Sequence, residues 1–170
     1  HDNLLVLAWA KGYQRRAYRQ SMGSTRFSSF SLSIGESDVW IGFQGSADKN
    51  SLQAETTTLL RRLRRELLEY GDPTLFTSFV PLQPKGELSV LLQRMFDAGE
   101  RSGTGPFSSV AGAIAERLGR HLKDQFGLSE IVVENGGDLY IDVLKPLPVK
   151  LFAPTSHLSG KLSIIVDPSY

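Results

Sequence analysis

Apolar positions recur at two spacings along this chain, and each spacing predicts a different element. From Ser51 to Tyr70 they keep the helical period: Leu52, Leu59, Leu60, Leu63, Leu67 and Leu68 form one stripe. Arg61, Arg62, Arg64 and Arg65 lie mostly off that stripe and read as a solvated face, diluted by Glu66 and Glu69. Gly71-Asp72-Pro73 stops this helix, since proline cannot continue the hydrogen-bond ladder. A second helix is predicted from Glu87 to Arg101, striped by Leu88, Leu91, Leu92, Met95 and Phe96. A third runs from about Ser108 to Phe126, with Val110, Ala113, Ile114, Leu118 and Leu122 facing inward. Ser108 or Ser109 is placed to cap it and Gly127 to end it.

Period-two patterning marks the strands. Arg26 to Ile34 puts Phe30, Leu32 and Ile34 on one face, and Val39 to Phe43 follows the Gly35-Glu36-Ser37-Asp38 turn, so the two should pair as a hairpin. Glu130 to Glu134 and Leu139 to Val143 are strands joined by Asn135-Gly136-Gly137-Asp138, a preferred tight-turn sequence. Val149 to Ala153 and Lys161 to Val166 are later strands. Leu4 to Ala10 reads equally as a buried strand or one end of a helix. Thr74 to Gly86 is a connector whose Leu75, Phe76, Phe79 and Val80 should pack down over a core. Strands, then helices, then strands argue for an α+β fold, with a largely antiparallel sheet and about three helices packed on it.

Composition narrows the function classes. A chain of 170 residues fits a single domain, 1–170. Net charge is +1, so no bulk field favours nucleic acid or an anionic membrane. Arg15, Arg16 and Arg19, among Tyr13 and Tyr18, read as a solvated strand or, alternatively, as an anion-contacting face. There is no cysteine, which removes disulfides and thiolate metal sites. Leu4 to Ala10 is the longest apolar run, short of the roughly 20 residues a membrane helix needs. It follows His1, Asp2 and Asn3 instead of a basic segment, so it is not read as a signal peptide. A cytoplasmic location is the favoured reading. The start at His1, without Met, reads as trimmed.

The candidate chemistry lies between Gly103 and Ile141. Gly103-x-Gly105-Pro106 precedes a helix whose unpaired N–H groups suit a phosphate, although a plain helix–helix turn explains the same residues. No lysine follows, so it is not a phosphate-binding P-loop, and it follows a helix, so it is not a dinucleotide fingerprint. Ala111, Gly112, Ala113 and Ala115 make the helix thin enough for close approach. Glu134, Asn135 and Asp138 gather beside two glycines at one strand end, where they could hold the polar edge of a nucleotide or flavin. His1, His121 and His157 share no metal-like spacing, and His121 reads as a surface residue. Ser156-His157 with Asp167 lacks a nucleophile elbow. Glu36 and Asp38 read as a polar turn.

GPFSSVAGAIAERLG followed by IVVENGGDLYI resembles the ApbE-like superfamily, and within it a prokaryotic branch sharing both stretches. RAYR, the GESD turn and SHLSGKLSI extend the likeness along the chain. The best-known members of that superfamily bind FAD and magnesium and attach FMN to a threonine of a partner protein. The resemblance implies an α+β, T-fold-like domain. It implies that Gly136 and Gly137 match a glycine pair lying against the flavin nucleotide, and that Gly105 to Ser109 match the segment approaching nucleotide and metal. Gly112 stands where the transferases carry a lysine, and their metal-holding Asp and Thr belong to a segment past Tyr170. The resemblance therefore implies a domain truncated at its C-terminus, with magnesium in doubt and no metal ligands assigned.

The candidate cofactor-binding set is Gly105, Ser108, Ser109, Gly112, Glu134, Asn135, Gly136, Gly137 and Asp138. Two functions are expected from it. One is a flavin- or nucleotide-binding enzyme related to the transferases, with FAD or another nucleotide as ligand. The other is a non-catalytic binding or assembly protein, a homo-oligomer that kept the fold. Neither expectation includes nucleic acid or a membrane span as partner.

Overall fold

A computed structural model describes residues 4–6, 25–151 and 156–168. Its centre is a four-stranded antiparallel sheet of β2 (Ser28–Ile34), β3 (Ser37–Gln44), β4 (Glu130–Asn135) and β5 (Asp138–Asp142), in that order. Three long helices, α1 (Lys49–Glu69), α3 (Val90–Ser102) and α4 (Val110–Phe126), pack on one face, with the short α2 (Thr74–Thr77) between the first two. A second sheet lines the other face: β1 (Leu4–Val6), β6 (Leu147–Leu151) and β7 (Ser163–Val166), with β1 parallel to β6.

This layering explains why β4 shows no alternation. Ile131 and Val133 face the helices, while Val132 faces Trp40, Leu147 and Val149 on the reverse side. A strand covered on both faces reads as a continuous apolar run. Its two glutamates, Glu130 and Glu134, share the reverse face by the strand period and are both buried.

The predicted hairpins form. Phe30 pairs with Ile41, and Asn135 with Asp138 across a two-residue bend in which Gly136 (φ 63°) and Gly137 (φ 100°) both take positive φ. The helix boundaries shift for identifiable reasons. Asp48 caps α1 by accepting from the Ser51 N–H at 2.8 Å, so the helix starts before Ser51. Ser89 caps α3 through the Leu92 N–H.

Two expectations fail. Ser108 and Ser109 do not cap α4, because a 3-10 turn (Pro106–Ser109) already leads into it. Their hydroxyls instead donate backwards, to the carbonyls of Gly105 (2.8 Å) and Pro106 (2.9 Å). In the connector, Leu75 is fully buried, but Phe79 is 92% and Val80 62% exposed, so those two do not pack over the core. The Leu4–Ala10 stretch is a strand over Leu4–Val6; its remainder, and the Arg15–Arg19 stretch, lie outside the described residues.

α4 runs along β5 because its facing residues are small. A Cβ on Gly119 would stand 2.1 Å from the Tyr140 ring, so the ring occupies the space a side chain would need. Lys123 of α4 bonds Asp142 of β5 at the far end.

Candidate functional site

The first turn of α4 lies beside the β4–β5 bend. Asn135 is buried, and its carboxamide nitrogen donates to the Ala111 carbonyl at 3.1 Å. Ala111 comes so close to Gly136 that a Cβ on the glycine would meet the Ala111 methyl at 3.6 Å, ordinary contact. Above this junction opens a cavity of about 460 Å³. Val110, Ala111 and Ile114 of α4, Leu67 and Leu68 of α1, Phe76 and Phe107 form its apolar walls. Phe76 and Phe107 stand edge to face, with ring centres 5.1 Å apart. Its polar rim is Asn135, Gly136, Arg64, Ser37 and Glu36.

The two segments singled out in the sequence thus meet, but the nine candidate residues separate. Asn135 and Gly136 line the cavity. Ser109, Gly112 and Asp138 lie on the other side of the α4 first turn, in a depression of about 240 Å³ shared with Arg94, Arg101 and Glu116. Gly105 is buried against main chain: a Cβ there would fall 1.8 Å from the Ser78 carbonyl oxygen. Its glycine is required by packing alone. Ser108 is exposed and bonds Thr104 and Gly105.

Two of the bare main-chain donors expected to hold a phosphate, at Gly137 and Gly112, are already used. Glu134, fully buried, accepts from the Gly137 N–H at 2.8 Å. Asp138 accepts from the Gly112 N–H, so the leading end of α4 is served by a carboxylate of the protein itself. Burial raises the Asp138 pKa above its ordinary value; the Gly112 bond opposes the rise and the nearby Glu134 charge adds to it.

Sequence reasoning missed the charged group that faces the cavity. Arg64 was placed with a solvated cluster, yet its side chain is only 27% exposed. It lies over the β2–β3 turn, donating to Ser37 Oγ at 2.9 Å and to Glu36. Gly35 at the turn, with φ 56°, leaves room for the guanidinium: a Cβ would stand 2.4 Å from Nη2. Arg61, Arg62 and Arg65 are exposed as expected. The one signal available was that Arg64, Leu67 and Leu68 share a helix face, and Leu68 is 72% exposed while lining the cavity. His121, read as a surface residue, is half-buried and bonds Glu55 of α1 at 2.6 Å.

Among the described residues no group of three His, Asp or Glu side chains is gathered that could hold a metal ion. None of their helices is long and apolar enough to cross a membrane.

Fold and cleft together define a three-layer α+β arrangement with an apolar cavity rimmed by Arg64 and the Asn135-Gly136 bend. The chain belongs to the family described as "AbpE bacteria", whose model matches residues 19–169. It is 34% identical over 110 residues to a UPF0280 protein of Methanocaldococcus jannaschii, covering 65% of this chain and 43% of that protein. It is 32% identical over 138 residues to a UPF0280 protein of Methanococcus aeolicus (80% and 54%). A third, from Methanopyrus kandleri, is 30% identical over 137 residues (79% and 53%). The chain spans about half the length of these curated relatives.

Proposed function

We propose that this chain binds a flavin, or a nucleotide of similar shape, in the cavity between α1, the opening of α4 and the Asn135–Gly137 bend. The observation that carries the reading is the cavity itself. Its volume of about 460 Å³ lies within the roughly 300–1,000 Å³ usual for small-molecule sites. Its walls are aliphatic and aromatic, which suits a flat ring system, and its polar groups cluster at one rim. The likeness of the VAGAIAE helix and VENGGD bend to the ApbE-like superfamily supports the same ligand class. That superfamily's flavin transfer is the reaction class to which this site would be related.

A flavin's ring would lie between Phe107, Ile114 and Leu67, with its polar edge toward Asn135 and the Gly136 main chain. Fluorescence quenching of FMN and FAD, with thermal shift for ADP, tests the reading. Saturable binding to at least one is expected, weakened by Ile114→Trp, which fills the cavity. No binding by a folded sample would end the proposal.

A second reading, an assembly protein that kept the fold, is favoured by one surface. Leu162 (48%) and Ile164 (54%), two residues apart where the chain enters β7, are both exposed. Light scattering would give a homo-oligomer on that reading. A monomer that binds FMN would remove it.

A further inference from the structure

Resting on the cavity as a flavin or nucleotide site, we infer that Arg64 selects ligands carrying an anionic group and that Glu36 occupies the anion's place until ligand arrives. Three observations converge on this. At the bend beside the cavity, the Gly137 N–H is already taken by the buried Glu134 carboxylate. Among the described residues lining the cavity, Arg64 is the only lysine or arginine. Its guanidinium is held between Ser37 Oγ and the Glu36 carboxylate, and Glu36 itself is 89% exposed at the tip of the β2–β3 turn.

The two partners of Arg64 differ in kind. Ser37 is buried and neutral, and it fixes the direction of the guanidinium. Glu36 contributes a carboxylate from solvent, and an exposed ion pair adds little stability because water screens it and side-chain entropy opposes it. A phosphate or carboxylate on a bound ligand can therefore take over the guanidinium with a comparable charge-assisted hydrogen bond. Glu36 then swings into water, where a carboxylate is well solvated. The exchange trades one anion for another on a prepositioned arginine, so Glu36 acts as a built-in competitor at the cavity rim.

FMN and riboflavin differ by one phosphate, and ADP and adenosine by two, so each pair isolates the anion. For the 170-residue chain, FMN should bind at least tenfold more tightly than riboflavin. Glu36→Ala and Glu36→Gln should tighten FMN by roughly two- to fivefold, the scale of an exposed ion pair, and leave riboflavin unchanged. Arg64→Met should bring FMN down to the riboflavin level, and Arg64→Lys should restore part of the difference. Thermal unfolding of each variant confirms that it is folded; Glu36 is too exposed for its loss to disturb the core. Equal affinity for FMN and riboflavin would overturn the inference and leave the cavity reading standing. Weaker FMN binding by both Glu36 variants would overturn it also, since Glu36 would then contact the ligand. Failure of all four compounds to bind would sink both.

Discussion

The Asn135 carboxamide donates to the Ala111 carbonyl across 3.1 Å, and that bond ties the β4–β5 bend to the opening turn of α4. The two residues are 24 positions apart in the chain, and Asn135 is buried. Asn135→Ala should therefore cost about 1 kcal/mol, the net value of a buried hydrogen bond. It should also weaken FMN, because the cavity wall loses its tie to the bend. Urea unfolding and an FMN titration on the same variant read both effects. If neither moves, the bond is incidental to the cavity.

The two glycines of the bend should behave differently. Gly136 has φ 63°, within the left-handed region that asparagine tolerates, and a Cβ there meets only the Ala111 methyl at 3.6 Å. Gly136→Asn should cost less than about 1 kcal/mol while projecting a side chain at the cavity rim, so binding should fall more than stability. Gly137 has φ 100°, is buried, and gives its N–H to Glu134. Gly137→Val should cost about 2–3 kcal/mol through backbone strain. Equal losses of stability in the two variants would contradict this division of roles.

Local rules were enough for much of this architecture. Leu52, Leu59, Leu60, Leu63 and Leu67 of α1 and Leu91, Leu92, Met95 and Phe96 of α3 bury as their spacing requires, whereas Leu68, expected on the same stripe, is 72% exposed. The Asn-Gly-Gly-Asp bend and the glycine stop at Gly127, with its positive φ, follow from backbone sterics alone. What local rules missed depends on partners far along the chain. Arg64 leaves the solvated face of α1 because Ser37 and Glu36, 27 and 28 residues earlier, receive its guanidinium. Phe79 and Val80 look like core residues by type, but the core beneath the connector is filled by Leu75. The candidate site was half legible for the same reason. Hydrogen-bond donors at glycines are visible in sequence, whereas the carboxylates that use them, Glu134 and Asp138, take those roles only once β4 and β5 are paired and α4 is packed beside them.

Asp138 offers a test with a defined sign. Asp138 is exposed, yet partial desolvation of its carboxyl against α4 lifts its folded-state pKa above the unfolded value; the Gly112 N–H opposes this, and Glu134 reinforces it. The folded state therefore favours the protonated carboxyl. That contribution is present below the unfolded pKa and is lost as pH rises through the raised folded value. Asp138→Asn keeps an oxygen for the Gly112 N–H and removes the charge. The variant should melt at a higher temperature than the wild type near pH 7, and the difference should close near pH 3. Calorimetry at both pH values checks it; a lower melting temperature at pH 7 would mean that the charge is stabilising.

Glu130 has the opposite sign and a larger effect. Its carboxylate and the Arg26 guanidinium form a two-pronged pair, at 2.5 and 2.9 Å, with side chains only 3% and 9% exposed. Burial by itself would raise the Glu130 pKa. The Arg26 fork and the Leu144 and Lys145 N–H groups outweigh it and hold the carboxyl below its ordinary value. Arg26 also donates to the carbonyls of Lys145 and Pro146, so the pair pins the start of β2 to the β5–β6 connection. Such a depressed group contributes stability that is present above the unfolded carboxyl pKa and is lost as pH falls through the folded value. Glu130→Gln leaves a buried guanidinium without its counter-charge, which should cost about 3 kcal/mol at pH 7. The gap to wild type should narrow as the pH is taken below the ordinary carboxylate range, because the wild type then loses the same charge. Urea unfolding at pH 7 and pH 3 measures both. A pH-independent gap would assign the loss to packing and leave the ion pair without a share in it.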